Sequence, residues 1–411
     1  MREGGVSKGG EGAREGGGRS PRVLLVGPKV APPHRGGIEK GVDLLLRSDL
    51  ARETGMRAFN NYRPRDPRRP LIEKLAYQIR KIREFGRELK QFPPDLVHVK
   101  TSSGINFHQN ALYSHTALRK GLPVVLQIHD GRFEAFYEGS FPPLRAWIRC
   151  TLHRVSAVAV LSEYWAQRIA GIAHLSRIRV VPNGLEEAEI HNLGEVPAVR
   201  SPRILFVGTG EDTTTRDKGL EDLLEVMPAL VREHPQASWI LAGLADLGEV
   251  SERLRQQGTG EALASGRIGV RGLVGSGEKL SLLRESTVLA LPSYYENMPN
   301  ILLEAMAAGM GVVASRVGAV SEMLVEGAGG ILIRPGDRAA LRDGLARLLT
   351  SPALLESQGR WNREALLWRY SMEVVQERLA EIYREVLGRS QAAPQGKDPQ
   401  PAIPGGTAMH S

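Results

Sequence analysis

The sequence predicts an α/β protein made of two doubly wound domains, each a parallel sheet covered by helices on both faces. The chain has 411 residues, which is more than one ordinary hydrophobic core accommodates. Short apolar runs alternate with amphipathic helical stretches along most of it, as in parallel α/β sheets. An acidic and then proline-containing segment at 186–202 separates two such series, and we interpret it as the linker between the domains.

The first domain is predicted over residues 22–185. Its strands are β-prone apolar runs at 22–27, 56–61, 95–100, 123–128 and 157–162, and the run RIRVVPNGL closes the series. Its helices are predicted at about 38–53, 71–90, 105–119 and 143–154, with a further one that starts at Ser162-Glu163. We expect residues 131–142 to form a loop.

The second domain is predicted over residues 203–370 and opens with the strand-like run RILFVGTG. Its further strands are predicted at 237–242, 268–270, 287–291 and 312–315. Its helices are predicted at 216–234, 276–286, 337–350 and 352–369, with a closing helix at 371–387. The Gly208-Thr209-Gly210 turn lacks the third glycine of a dinucleotide fingerprint, which excludes a nicotinamide enzyme.

Composition indicates a cytoplasmic protein. Residues 1–21 are glycine-rich and charged without an apolar segment, so we expect a disordered lead and no signal peptide. Residues 388–411 are of low complexity and are expected to form a disordered tail. No apolar run approaches the roughly 18 residues of a transmembrane helix. The single cysteine, Cys150, fits a reducing compartment, and its apolar neighbours predict a buried position.

Positive charge is concentrated between Arg57 and Lys100, where 12 Lys or Arg stand against five Asp or Glu. The predicted helix at 71–90 lies in this span and is amphipathic. It is compatible with peripheral contact to an anionic membrane or acceptor, and also with an ordinary helix whose apolar stripe faces the core. Few aromatic residues are interleaved with the basic ones, which disfavours a nucleic-acid binder.

The stretch at 287–311 indicates a phosphate-binding helix start. The apolar run TVLAL predicts a buried strand, and a helix follows with Asn297 or Met298 as its cap and Pro299 in its first turn. The free N–H groups and the positive end of such a helix, above the carboxyl edge of a sheet, bind phosphate. The carboxylates of Glu296 and Glu304 frame this helix start, where they suit sugar or ribose hydroxyls.

The string ENMPNILLEAMAAG, with two glutamates separated by seven residues, resembles the signature of the retaining glycosyltransferases of family 4. The resemblance covers most of residues 22–387 and implies the GT-B fold, in which two Rossmann-like domains face a cleft and the last helix crosses back to the first domain. It implies that Glu296 binds the transferred sugar and Glu304 the ribose. The rest of the implied donor loop is Asn297, Met298, Pro299, Asn300 and Ile301.

The resemblance assigns further residues on both sides of the cleft. It implies that Gly36-Gly37 faces the donor phosphates and that His129, at the carboxyl end of a strand, lies against the donor sugar. A glycine turn in the second domain, at Gly318, would line the phosphates, and Glu322 would cap or support the helix beside it.

Lys218 is expected to neutralise the donor diphosphate as it leaves, because it stands at a strand-to-helix junction. Lys218-Gly219 resembles the Lys-Gly pair of the family. The family usually has an arginine where this chain has Thr209, and we expect Arg216 to reach back in its place.

The resemblance implies transfer of a sugar from a nucleotide-sugar donor, with UDP-hexose or UDP-N-acetylhexosamine expected, to a glycan or lipid-linked acceptor in polysaccharide or envelope synthesis. No Asp-x-Asp motif stands at a strand end, so we expect neither a metal nor a cofactor. Two alternatives stay open. One is a GT-B nucleotide-sugar epimerase, and the other is a non-catalytic nucleotide-sugar-binding scaffold, which the departure at Thr209 favours.

Overall fold

The computed structural model describes residues 20–30, 37–62, 70–175, 177–194, 202–210 and 217–388. Within these ranges the chain forms two sheets of six parallel strands each, which confirms the predicted fold class. The first sheet contains β1 (Val23–Gly27), β2 (Arg57–Asn60), β3 (Leu96–Thr101), β4 (Val124–Ile128), β5 (Ala157–Val160) and β6 (Ile178–Val180), in the order β2-β1-β3-β4-β5-β6. The second contains β7 (Arg203–Val207), β8 (Ser238–Ala242), β9 (Ile268–Val270), β10 (Val288–Leu291), β11 (Gly311–Ser315) and β12 (Ile331–Ile333), in the order β12-β11-β10-β7-β8-β9. The boundaries 22–185 and 203–370 stay predictions.

Helices connect the strands of both sheets. Those of the first half are α1 (Gly37–Arg47), α2 (Asp49–Glu53), α3 (Leu71–Gln91), α4 (Gly104–Leu118), α5 (Phe133–Glu138), α6 (Pro142–Arg154), α7 (Glu163–Ala173) and α8 (Glu187–Asn192). Those of the second half are α9 (Leu220–Glu233), α10 (Leu247–Leu254), a π-helical turn (Arg255–Thr259), α11 (Gly260–Ala264), α12 (Ser276–Glu285), α13 (Asn300–Ala307), α14 (Val320–Met323), α15 (Arg338–Thr350), α16 (Pro352–Tyr370) and α17 (Met372–Val386).

Short helices account for most differences from the sequence prediction. The predicted loop at 131–142 contains α5, and the predicted linker contains α8, which a capping box of Glu186 and Glu189 stabilises. Each has six residues, too few for an apolar period to show. The predicted helix at 38–53 is divided because Ser48 caps the start of α2 through its side chain.

The last helix crosses back to the first half, as the resemblance implies. The buried side chains of α17 share a core cluster with Val23 and Leu25 of β1; they are Met372, Val375, Leu379, Ile382 and Tyr383. The crossing lies beside the other connection between the halves. There, Leu185 N donates to Tyr370 O over 3.0 Å, and Met372 N donates to Leu185 O over 3.0 Å.

The carboxyl edges of the two sheets face each other, because loops from these edges contact across the cleft. Glu322, after β11, accepts hydrogen bonds from the N–H groups of Glu163 and Tyr164 at 3.0 and 2.5 Å. These groups belong to the start of α7, so a carboxylate of the second half caps a helix of the first. The resemblance places Glu322 at the helix beside its own glycine turn; in the structure Glu322 caps α7 instead.

Two features of the surface bear on the predictions made from composition. Among the described helices, none is both long and apolar enough to cross a membrane. Cys150 is exposed, so its predicted buried position is wrong. The reason is that α6 buries a different face, through Ile148, Thr151 and Leu152.

Candidate active site

The loop between β10 and α13 lies at the carboxyl edge of the second sheet. Pro299 occupies the N-cap with φ −71° and ψ 120°, and α13 begins at Asn300. The predicted caps, Asn297 and Met298, are therefore wrong by one or two residues, because the extended backbone of Pro299 delays the helix. Leu302 and Leu303, in the first turn, are buried in the core of the second half, which holds this turn against the sheet.

Glu296 and Lys218 form an ion pair at the centre of the cleft. Lys218 Nζ lies 2.6 Å from Glu296 Oε1, and Ser293 Oγ donates to the same oxygen over 2.9 Å. Glu296 is 9% exposed. The structure thus brings together two residues that the sequence separates by 78 positions.

Glycines hold the segments that carry this pair. Gly219 has φ +78°, and a Cβ there would overlap the carbonyl of Pro292, so the Lys218 turn packs directly on the end of β10. Gly318 has φ +53°, and a Cβ there would overlap Glu296 O. Within this structure, the role visible for Gly318 is to support the Glu296 loop; contact with phosphate stays a prediction.

Glu304 lies at the centre of a buried charge cluster between the halves. Its Oε1 is 3.1 Å from Lys40 Nζ of α1 and 2.8 Å from Lys279 Nζ of α12, and Lys40 Nζ is also 2.9 Å from Glu189 Oε1. Burial alone would raise the pKa of Glu304, but Lys40 and Lys279 hold it below the ordinary value. Burial opposes the charge of Lys40, yet Glu304 and Glu189 raise its pKa. Glu304 and Lys40 therefore stay ionised at neutral pH.

His129 follows β4 and lies near the buried side chain of Lys100. Its Nε2 is buried and has no hydrogen-bond partner in the described part of the chain. Burial, followed by the charges of Lys100 and His98, lowers the pKa of His129 well below the ordinary value. Burial also lowers the pKa of Lys100 to about 7. His129 is therefore a neutral imidazole with a free ring nitrogen, which suits hydrogen bonding to a sugar hydroxyl.

The remaining predicted residues that the structure describes lie at the starts of α1 and α13 and in the loop before α13. A Cβ at Gly37 would lie 3.1 Å from Asn300 Nδ2, so the starts of α1 and α13 meet across it. Asn183 Nδ2 donates to Met298 O over 3.0 Å, and Asn297 O accepts from Ala319 N over 2.9 Å. Ile301 is partly buried against the core. Gly36 and Arg216 lie outside the described residues.

Sequence reasoning missed the two lysines that contact Glu304. Lys40 stands in the first turn of α1, three residues after Gly37. Its place near the glycine pair is the only feature of the nearby sequence that indicates a position at the site. Lys40 and Glu304 are 264 positions apart, and the spacing of residues in the sequence cannot predict a contact at that separation. Lys279 has a surface-helix pattern around it and gives no signal of its own.

The arrangement provides cations for a diphosphate, carboxylates for sugar hydroxyls and a neutral imidazole, all in one cleft. Over the described ranges, no group of three or more His, Cys, Asp or Glu is placed to hold a metal ion.

Comparisons with known proteins place similar sequences on both halves. The model described as Glycosyltransferase Family 4 matches residues 35–189, and the model of Glycosyl transferases group 1 matches residues 201–351. Glycogen synthase of Mycobacterium tuberculosis is 29% identical over 231 residues, covering 56% of this chain and 52% of that protein. The aligned region thus spans about half the length of this relative.

Two further proteins are similar over more of their length. Phosphatidyl-myo-inositol mannosyltransferase of Mycobacterium leprae is 29% identical over 271 residues, covering 64% of this chain and 67% of that protein. The crystal structure of Anabaena HepE in complex with UDP has a TM-score of 0.63 at 16% identity, covering 89% of this chain and 100% of that one. With a glycosyltransferase model matched on each half and two facing six-stranded sheets, the chain belongs to the GT-B glycosyltransferases of family 4, the group 1 glycosyl transferases.

Proposed function

We propose that the protein is a retaining glycosyltransferase that moves a hexose or N-acetylhexosamine from a UDP-linked donor to a hydroxyl of a glycan or lipid-linked acceptor in polysaccharide or envelope synthesis. One observation carries the proposal. The Lys218–Glu296 ion pair lies at the loop before α13, and the ionised Glu304 lies on α13 itself, where Lys40 of the first half contacts it. A nucleotide sugar needs these groups together: cations for its diphosphate and carboxylates for its two sugars.

Each residue has a defined task in this proposal. The diphosphate occupies the start of α13 and takes Lys218 from Glu296, which frees that carboxylate for hydroxyls of the transferred sugar. Glu304 accepts from the ribose hydroxyls, and His129 hydrogen-bonds the transferred sugar from the first half. The leaving diphosphate is stabilised by Lys218 and the helix start, so we propose that no metal ion or cofactor is required.

Retention follows from attack on the same face of the sugar that the diphosphate leaves. The bond between the anomeric carbon and the phosphate oxygen breaks as the acceptor oxygen bonds to that carbon. The acceptor proton passes to the departing phosphate oxygen, and we propose no protein nucleophile. UDP is supported by the complex of HepE with UDP, and a lipid-linked acceptor by the mannosyltransferase named for phosphatidyl-myo-inositol.

Product analysis tests this function. We expect nucleotide release from UDP-glucose or UDP-N-acetylglucosamine in preference to GDP-mannose and ADP-glucose, with glycan and lipid-linked acceptors supplied in parallel. Proton NMR of the product is expected to show the donor's anomeric configuration, and EDTA should leave the rate unchanged. An inverted product would contradict the mechanism, an epimerised sugar would favour the epimerase, and binding without turnover would favour the scaffold.

We also propose peripheral contact between α3 and the inner face of the cell membrane. At about 100° per residue, exposed apolar and basic side chains share an arc of about 140° on this helix, which we name the outer face. Its members are Ile72, Leu75, Ile79, Arg80, Arg83, Arg87 and Lys90. Ile72 is 82% exposed, whereas Phe85 and Leu89 are buried on an adjacent face. The structure gives Arg83, Arg87 and Lys90 no carboxylate partner among the residues it describes.

Vesicle flotation tests this contact. We expect the protein to float with vesicles that contain phosphatidylglycerol but not with phosphatidylcholine alone, and to be released by high salt. Arg83→Gln with Arg87→Gln should lower binding about thirtyfold, since each basic residue near an anionic surface contributes about 1 kcal/mol. Trp368→Asp, on the exposed face of α16, is the matched control and should leave flotation unchanged. Equal flotation of all variants would rule out the outer face as the binding surface.

A further inference from the structure

We infer that Gly131 and Arg132 form the contact through which the first half of the molecule completes the active site. This inference rests on the proposed function, because the site that it completes is the one assigned there to the donor sugar. Residues 129–132 follow β4 and are named here the closing loop. His129, which we propose hydrogen-bonds the donor sugar, is the first residue of this loop.

The backbone of Gly131 packs on the peptide group that joins Glu296 to Asn297. A Cβ at position 131 would lie 2.8 Å from both Glu296 C and Glu296 O and 2.9 Å from Asn297 N. Such distances do not occur between a real Cβ and backbone, so any side chain here would push the two halves apart. The three nearest atoms all belong to the second half.

Arg132 contacts the segments on both sides of the Lys218–Glu296 pair. Its guanidinium pairs with the carboxylate of Asp217, the residue before Lys218. It also lies 5.1 Å from the ring centre of Tyr295, the residue before Glu296. The closing loop therefore touches the two segments that carry the central ion pair.

The closing loop is fixed within its own half. His129 N donates to Thr101 O over 2.8 Å, Ser103 N to Asp130 Oδ2 over 2.9 Å, and Arg132 N to Asp130 Oδ1 over 2.8 Å. Gly131 is not among the glycines with positive φ. An alanine is therefore compatible with the backbone of the first half, and the need for glycine comes from the second half alone.

The experiment compares Gly131→Ala and Gly131→Val with the wild type. We expect UDP affinity by calorimetry to stay within about twofold, because the nucleotide contacts proposed for UDP lie mainly on the second half, while turnover of UDP-glucose falls roughly tenfold to a hundredfold. The valine variant should be the slower. Arg132→Gln should lower turnover less, again without a change in UDP affinity. Gly171→Ala, at a glycine with no neighbour within 4 Å, is the matched control.

A distance measurement between the halves gives a second readout. Spin labels on the exposed Cys150 and on a Ser281→Cys variant should be farther apart in Gly131→Ala than in the wild type. Wild-type turnover in both Gly131 variants would overturn the inference, as would a parallel loss of UDP affinity or an unchanged label distance. Absence of UDP binding by the wild type would instead contradict the proposed function, and the label distance would still test the contact.

Discussion

Replacement of Glu304 by alanine is expected to weaken UDP binding by at least about 100-fold, since the proposed ribose contacts are two hydrogen bonds to a charged acceptor. Calorimetric titration of the purified variant with UDP measures this. The carboxylate is 4% exposed, and Lys40 and Lys279 keep it ionised at neutral pH, which makes it a strong hydrogen-bond acceptor. Equal UDP affinity in variant and wild type would remove Glu304 from the site.

We also expect Glu304→Ala to be less stable than the wild type, so a second variant is needed to separate binding from folding. Removal of one partner from a buried ion pair costs about 3–5 kcal/mol, and Glu304→Ala leaves Lys279 without the carboxylate it contacts. Glu304→Gln keeps the shape and one acceptor oxygen but replaces the other oxygen by an NH2 donor, so it should fold while still losing most of the UDP affinity. Glu326→Ala, at an ion pair that is about half exposed, is the matched control and should bind UDP normally.

Replacement of Lys218 by alanine is expected to lower kcat by about 100- to 1,000-fold, the usual range for removing one donor that stabilises charge in a transition state. The diphosphate gains negative charge as the bond to the sugar breaks, so the loss should fall mainly on kcat and less on the KM for the donor. Steady-state kinetics with UDP-glucose separates the two constants.

Two further variants define the origin of the effect of Lys218. Lys218→Arg should recover part of the rate, because the charge is retained while the geometry of its contact with Glu296 changes. Lys120→Ala, at an exposed lysine of the first half, should leave both constants unchanged. A Lys218→Ala enzyme with kcat within a few-fold of the wild type would show that other groups neutralise the leaving diphosphate.

The fold could be predicted from the sequence because alternation of strands and helices is a local property. The succession of strand, loop and helix around Glu296 could likewise be predicted, since these elements are continuous in the chain; the binding of a donor there stays a prediction. Lys40 and Gly131 could not be predicted. Their roles depend on how the two halves meet, and Lys40 finds Glu304 at a separation of 264 residues.

The predicted start of α13 also lies one or two residues too early. Proline is favoured at the first helical position, but Pro299 has an extended backbone, with φ −71° and ψ 120°, and stands one residue before the helix. Helix α8 was not predicted because it has only six residues and lies in a segment whose composition is typical of a linker; the capping box of Glu186 and Glu189 is its only helix signal.

The path of the chain between the halves has a consequence for recombination of these enzymes. The backbone passes between the halves at Leu185 and returns at Ser371, and the two crossings are bridged to each other. The residues after the return, in α17, bury their side chains on β1. A chimera that takes the first half from a relative must therefore take residues 372–386 with it. The first half is therefore encoded by two separate stretches of sequence, although β1 and α17 pack in one core cluster.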